Sequence, residues 1–307
     1  MCCLFGLIDY RHSLSTRQKN RILSVPAASC EARGTDATGI AYHSKGRLRV
    51  YKRPIPAHLL RFSLPDDTDI VMGHTRMTTQ GDARKNFNNH PFCGSSDSGP
   101  FALAHNGVIY NDTRLRGPHK LQKPKIETDS FVAVQLLEQK RTLNFSSLRY
   151  MAEQVEGSFT FTVLDARDNL YIVKGDNPMC LYHYPRLGIY LYASTQEIPN
   201  QALAQLALPW EPPRQIRINC GEILRIDNSG VITRDKFDDS KLFRHRYSMC
   251  WWPFYPNRAT RKASNDYLEE IKSVASAFGY DPEEIDKLAA EGFSPEELED
   301  FLYCGEL

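Results

Sequence analysis

The residues with the most reactive potential stand at the start of the chain, Met1-Cys2. Methionine aminopeptidase removes an initiator Met when the next residue is small, and Cys is small enough. Removal leaves a thiol and a free α-amine on one residue. The thiolate is the nucleophilic form of cysteine, with an ordinary pKa of about 8.5, and an α-amine titrates at about 7.7–8.0. Such an amine can take the proton of its own side chain, directly or through one water, and no histidine is needed. The same stretch, CCLFGLI, also reads as the first strand of a core.

Three further polar sites could serve that nucleophile. Arg76, beside Thr75, Thr78 and Thr79, ends an apolar run. A guanidinium there makes either a structural ion pair or a bidentate clamp on a carboxylate. Asn106-Gly107 is either a plain hairpin turn or an oxyanion hole made from a side-chain amide and a backbone N–H. Asp129 is either a helix cap or the acceptor of an ammonium group. His74 and His105 sit in apolar runs, where packing or a hydrogen bond is the ordinary role, and no adjoining carboxylate suggests a metal. Taken together, the chain offers a nucleophile with a built-in base, a carboxylate clamp, an oxyanion donor pair and an ammonium acceptor. That set binds an α-amino acid and attacks an amide on its side chain.

The surrounding pattern supplies short strands and few helices. Cys3–Asp9 is mostly apolar and predicts a buried strand. Ser15 with Gln18 predicts a capping box, opening a helix that runs to about Val25, before Pro26. GIAYH and the alternating Arg47–Arg53 predict a hairpin. Asp69–Arg76 and Phe101–Val108 are strands that end in the polar groups above, and Ala83–Gly99 reads as a long polar loop. Thr128 or Asp129 predicts the N-cap of a helix with apolar positions Phe131, Val132, Val134, Leu136 and Leu137. Five more short strands follow: 157–165, 170–174, 179–184, 188–194 and 222–226. Many strands with few crossovers favour antiparallel pairing.

The whole chain excludes several classes of function. With 307 residues and a net charge of +1, it makes no electrostatic case for nucleic acid or a membrane surface. No apolar run approaches the ~20 residues of a bilayer span. No signal peptide is read at the start, where Asp9, Arg11 and His12 interrupt the apolar run. The expected compartment is the cytoplasm, where thiols stay reduced. The eight cysteines are scattered without a C-x-x-C pair, so neither a zinc site nor a disulfide framework is expected. Charge is uneven. Residues 264–307 hold thirteen acidic and two basic residues, a net −11 against +12 for the preceding 263. Such a jump marks a boundary.

Five ordered motifs resemble the class II glutamine amidotransferase domain, a member of the N-terminal-nucleophile hydrolases. They are Cys2 with LFG, Arg33-Gly34-x-Asp36-x-x-Gly39-Ile40-Ala41, Gly73-His-Thr-Arg-Met-Thr-Thr-Gln-Gly81, His105-Asn106-Gly107-x-Ile109-x-Asn111, and Glu127-Thr128-Asp129. The third is similar to G-H-T-R-W-A-T-H-G of the glucosamine-phosphate synthases. The resemblance covers about residues 2–235. It implies Cys2 as nucleophile with its α-amine as base, and Asn106 and Gly107 as the oxyanion hole. It also implies Arg76 on the glutamine α-carboxylate, Asp129 on its α-amine and Thr79 lining the same site. The implied fold is α+β, a four-layer αββα sandwich of two antiparallel sheets. The implied reaction releases ammonia from glutamine through a glutamyl thioester, with no metal or cofactor. Cys3, Met77 and Gln80 stand where relatives often have Gly, Trp and His.

Domain organisation is then expected as an amidotransferase domain over 2–240, an aromatic-basic linker over 241–263 and an acidic helical bundle over 264–307. In the bundle, Ser264, Asp281-Pro282 and Ser294-Pro295 open three helices, and Tyr267, Ile271, Val274 and Phe278 form an apolar stripe. No synthase domain is recognisable, so the expected partners are glutamine and a separate synthase or acceptor-activating protein. Two other readings stay open: an amidase for another γ-glutamyl amide, and a non-catalytic binding module.

Overall fold

The computed structural model describes residues 2–194 and 213–242, and in the C-terminal part residues 268–269, 271–272, 275–276, 280–291, 293 and 298. The chain divides into two compact units, residues 1–246 and 247–307.

The first unit is built on β1 (Cys3–Asp9), in which every residue is buried. Its two faces are covered by different layers. Cys3, Phe5 and Leu7 join one apolar cluster, and Leu4 and Ile8 join another. Covering both faces removes the polar alternation of a half-exposed strand, which is why CLFGLID reads as a continuous apolar run.

The remaining elements follow in chain order: α1 (Thr16–Ser29), β2 (Ala37–Ser44), β3 (Arg47–Arg53), β4 (Ile70–Arg76), β5 (Phe92–Ser96), β6 (Gly99–Ile109), α2 (Asp112–Arg116), α3 (Phe131–Lys140), α4 (Phe145–Gln154), β7 (Gly157–Leu164), β8 (Leu170–Lys174), β9 (Cys180–Tyr184), β10 (Ile189–Ala193), β11 (Arg214–Ile216), β12 (Glu222–Ile226) and β13 (Ile232–Lys236). One sheet has the order β11-β9-β10-β1-β4-β2-β3 and the other β13-β12-β8-β7-β6-β5. Neighbouring strands pair antiparallel in both sheets.

Three apolar interfaces hold these layers. Ile22, Leu23 and Ala27 of α1 pack on Phe5, Leu7 and Leu191. Val132, Leu136, Leu148 and Met151 of α3 and α4 pack on Phe161, Val163 and Val173. Leu4, Ala104, Ile172 and Leu224 meet between the sheets. Each fully buried side chain of this size contributes about 1.5–3 kcal/mol. The result is the expected αββα sandwich.

Local details depart from the sequence reading. The Ser15–Gln18 capping box is present, but α1 continues through Pro26 to Ser29. Pro26 lies in the last turns, where its missing N–H costs one bond, and its buried ring packs into the core. The polar loop 83–99 contains β5, whose Phe92 and Gly94 face inward while Cys93 is exposed. Asp129 does not cap α3: the N-cap residue is Ser130, with no side-chain cap bond. α4, capped by the Asn144 side chain, and the short β11 and β13 add to the expected strands and helices. The scattered cysteines also gave no warning that Cys3 and Cys30 are joined in a disulfide, their Cα atoms 5.6 Å apart. The bond links β1 to the 3₁₀ turn Cys30–Arg33.

In the second unit, α5 (Pro282–Ala290) begins at the expected Asp281-Pro282, with the Asp281 side chain accepting from Glu283 N–H. Ile271, Ala275, Ile285 and Leu298 are buried together. The aromatic-basic stretch 244–256, the helix starts at Ser264 and Ser294, and stripe positions Tyr267, Val274 and Phe278 lie outside the described residues. Among the described residues no helix is long and apolar enough to cross a membrane, and no cluster of His, Cys, Asp and Glu could hold a metal ion.

Candidate active site

Cys2 immediately precedes β1, and the β1–β4 register sets Cys3 opposite Thr75. The nucleophile candidate is thereby carried to the end of β4, where Arg76 and Met77 lie. Its thiol donates to the Met77 carbonyl at 3.5 Å. Arg33 Nε donates to the Cys2 carbonyl at 3.2 Å. Burial raises the thiol pKa; the backbone at Met77 and the Arg76 charge oppose that rise, and the Asp129 charge adds to it. Arg76 and Asp129, the two groups expected to hold an α-amino acid, thus both act on the thiol.

Arg76 is 3% exposed. Nη1 donates to Asn89 Oδ1 and Nη2 to the Gln80 carbonyl, both at 2.6 Å. Burial lowers its pKa, while the charges of Cys2, Asp36 and Asp129 act to raise it. The R-G-x-D motif explains how this turn is held. A Cβ on Gly34 would press into the Arg76–Met77 peptide. Asp36 N–H donates to the Arg76 carbonyl at 2.9 Å, and Asp36 Oδ2 accepts Thr78 N–H at 2.7 Å. The motif is thus a brace for the clamp, a role its residue types alone did not reveal.

Asn106 and Gly107 lie within β6, paired with Thr160 and Phe159 of β7. They are not a hairpin turn. Gly107 has φ +137, and a Cβ there would collide with the Ser158 carbonyl. Only glycine fits this backbone. Asn177 Nδ2 donates to the Asn106 carbonyl at 3.1 Å and to Ser158 Oγ at 2.7 Å, holding the strand from behind.

Asp129 is buried, and its Oδ2 accepts Ile109 N–H at 2.6 Å. Ser130 Oγ meets Asp129 Oδ1 at 3.3 Å and His105 Nδ1 at 2.8 Å. His74 Nε2 lies 3.0 Å from the His105 carbonyl, and the His74 and His90 rings are 4.2 Å apart. Burial lowers the pKa of all three histidines, that of His74 to about 3 and that of His90 well below its ordinary value. They are neutral struts behind the site. Thr79 is exposed in the turn after β4, and its side chain makes no hydrogen bond among the described residues.

Cys2, Arg76 and Asp129 therefore share one electrostatic neighbourhood, and Asn106-Gly107 lies on the strand whose end anchors Asp129. The sequence reading missed Arg33, Asp36, Asn89, Ser130, Asn177 and Ser194. Of these, only Arg33 and Asp36 had a signal, their place in a motif.

A family model described as the glutamine amidotransferase domain matches residues 74–198. Glutamine–fructose-6-phosphate aminotransferase [isomerizing] of Staphylococcus aureus strain Mu50 is 32% identical over 190 residues, covering 59% of this chain and 30% of that one. The protein of that name from Geobacillus kaustophilus strain HTA426 is 30% identical over 187 residues, covering 58% and 30%. The chain thus spans about 30% of the length of these curated relatives. Among solved structures, glutamine phosphoribosylpyrophosphate amidotransferase from B. subtilis superposes with a TM-score of 0.59 at 20% identity, over 77% of this chain and 49% of that one. An allosteric regulatory enzyme of purine biosynthesis does so at 0.60, with the same identity and coverage. These two likenesses concern the fold. The family match over residues 74–198 and the αββα layers agree with the resemblance of the ordered motifs to the class II, N-terminal-nucleophile glutamine amidotransferases.

Proposed function

We propose that this domain hydrolyses the side-chain amide of glutamine and hands the ammonia to an acceptor held by a separate protein. The observation that carries this reading is the β1–β4 register, which brings Cys2, its thiol donating to the Met77 carbonyl at 3.5 Å, beside the buried Arg76, with the charge of Asp129 also acting on the thiol. A free α-amino acid presents one carboxylate and one ammonium, and a peptide-internal glutamine presents neither. This favours glutamine over a peptide substrate.

After removal of Met1, the Cys2 α-amine takes the thiol proton. The sulfur attacks the amide carbon, and the C=O electron pair moves onto oxygen. Asn106 Nδ2 and Gly107 N–H stabilise that oxyanion, where each donor contributes on the order of 10²–10³ in rate. Collapse of the tetrahedral species breaks the C–N bond. The departing nitrogen takes the proton held by the amine and leaves as ammonia. A water, deprotonated by the same amine, attacks the thioester; glutamate leaves and the thiol is restored.

The boundaries 2–240, 241–263 and 264–307 remain our division of the chain. In this division the acidic segment, net −11, recruits the acceptor protein through a basic surface on that partner. The test is ammonia and glutamate release from glutamine by the full chain and by Cys2→Ala. The wild type turns over and the variant does not. Equal activity in both, or none in the wild type, contradicts the proposal. Faster turnover of another γ-glutamyl amide than of glutamine would change the substrate and keep the chemistry.

A further inference from the structure

The Asn106 amide has two ends with different surroundings. Its nitrogen lies 3.5 Å from Ser194 Oγ, and its oxygen is buried with no hydrogen-bond partner among the described residues. Ser194 Oγ accepts the Leu4 N–H at 2.9 Å, and Ser194 N–H donates to the Leu4 carbonyl at 2.9 Å. Leu4, Asn106 and Ser194 are all 0% exposed. The Ser194 hydroxyl has a proton of its own to give, and among the described residues its hydrogen-bonding groups are the Leu4 N–H and the Asn106 amide.

We propose that Ser194 is a positioning residue for the oxyanion hole: its hydroxyl donates to Asn106 Oδ1 and so turns the amide NH₂ toward the substrate. The two ends of an Asn amide are assigned by what they can bond. With Oδ1 toward Ser194, the hydroxyl proton has an acceptor and no buried oxygen is left without a donor. The amide hydrogens are then free for the charge that develops on the substrate oxygen. A separation of 3.5 Å is long for such a bond, and bonds of this kind tighten when substrate fills the site.

The same hydroxyl also fixes relative position. Leu4 lies two residues after Cys2 on β1, in one sheet, and Asn106 lies on β6, in the other. Ser194 touches both strands, so it sets the distance from attacking sulfur to oxyanion donor. Misplacement by about 1 Å at such a site costs on the order of 10²-fold in rate. This inference rests on the proposed function, since an oxyanion hole matters only if Cys2 attacks a carbonyl.

The test compares the full-length wild type, Ser194→Ala and Ser194→Thr, each checked for folding by its melting curve. Three quantities are measured: kcat and KM for glutamine, the rate of Cys2 alkylation by iodoacetamide, and the rate of Cys2 acylation by an activated γ-glutamyl ester. Alkylation displaces iodide and needs no oxyanion hole; acylation does. Ser194→Ala should lose about 10–100-fold in kcat and in acylation, with KM and alkylation within about threefold. Ser194→Thr, which keeps the hydroxyl, should recover most of the loss. Unchanged kcat in Ser194→Ala overturns the inference. So does a parallel loss of alkylation, which would make Ser194 a support for β1 alone. Wild type that acylates but does not turn over glutamine defeats the proposed function, and the acylation comparison still decides the role of Ser194. If Ser194→Ala proves unfolded, Ser194→Thr decides: a threonine chain that folds yet acylates about 10-fold or more slowly than wild type overturns the inference.

Discussion

Asp129 and Ile109 are bound to each other: the carboxylate Oδ2 accepts the Ile109 N–H at 2.6 Å. Ile109 is two residues beyond Gly107 on β6. The group that would hold the substrate ammonium is therefore pinned to the strand that carries the oxyanion donors, and the two cannot drift apart independently.

That pinning separates charge from structure at Asp129. In Asp129→Asn the amide oxygen can still accept the Ile109 N–H, while the charge is gone. We expect KM for glutamine to rise about 10–100-fold, the value of a charged hydrogen bond, with the melting temperature within a few degrees of wild type. In Asp129→Ala both functions are lost, and stability should fall as well. Initial-rate kinetics and thermal melts on the two variants distinguish these outcomes.

The buried histidines make stability depend on pH with a defined sign. His74 titrates at about 3 in the folded chain and His90 well below its ordinary value, because burial disfavours the cation. Unfolded histidine titrates near 6.5. Below about pH 6.5 the unfolded chain takes up protons that the folded chain refuses. The stabilisation is thus complete above that pH and is lost as pH falls toward 3, at up to about 1.4 kcal/mol per unit for each histidine. Urea midpoints should drop from pH 7 to pH 5. His90→Phe should make the slope shallower, since the His90 ring makes no hydrogen bond among the described residues that the substitution would remove.

Cys3 and Cys30 close a loop with a sequence separation of 27. By chain entropy alone, a cross-link of that size is worth about 3.5 kcal/mol. Both sulfurs are buried. Peptide mapping should therefore show Cys3 and Cys30 alkylated only after denaturation with reductant, and Cys30→Ser should lower the melting temperature of the unreduced chain. Full labelling without reductant would show the two thiols to be free.

Much of this site could be read from residue types because chemistry restricts them. Cys2, Arg76, Asn106, Gly107 and Asp129 each had a functional reading, and the strands around them are apolar enough to see. What stayed hidden depends on distance in sequence. Ser194 meets Leu4 across 190 residues and Asn106 across 88, and a serine near a strand end looks like any turn residue. β5 was hidden by its own composition, since Gly94 and Ser95-Ser96 are turn formers that here complete a sheet edge beside β6. Asp129 was misread as a cap because Asp before an apolar run is the usual cap signal. Tertiary contact with Ile109 overrides that local preference.

Deleting residues 264–307 should leave glutamine hydrolysis within about threefold of wild type. Every group in the proposed chemistry, Ser194 included, lies before residue 195. The deletion should instead abolish co-purification with an acceptor protein from the native cell. A folded deletion that no longer hydrolyses glutamine would contradict this division of labour.

The most direct measurement is the mass of the N-terminal peptide after the purified chain reacts with a glutamine-shaped electrophile. The account predicts a peptide that begins at Cys2, lacks Met1 and carries one adduct on the Cys2 sulfur, with Cys93, Cys180, Cys220, Cys250 and Cys304 unmodified. A peptide that retains Met1, or an adduct carried by another cysteine with Cys2 free, would contradict it.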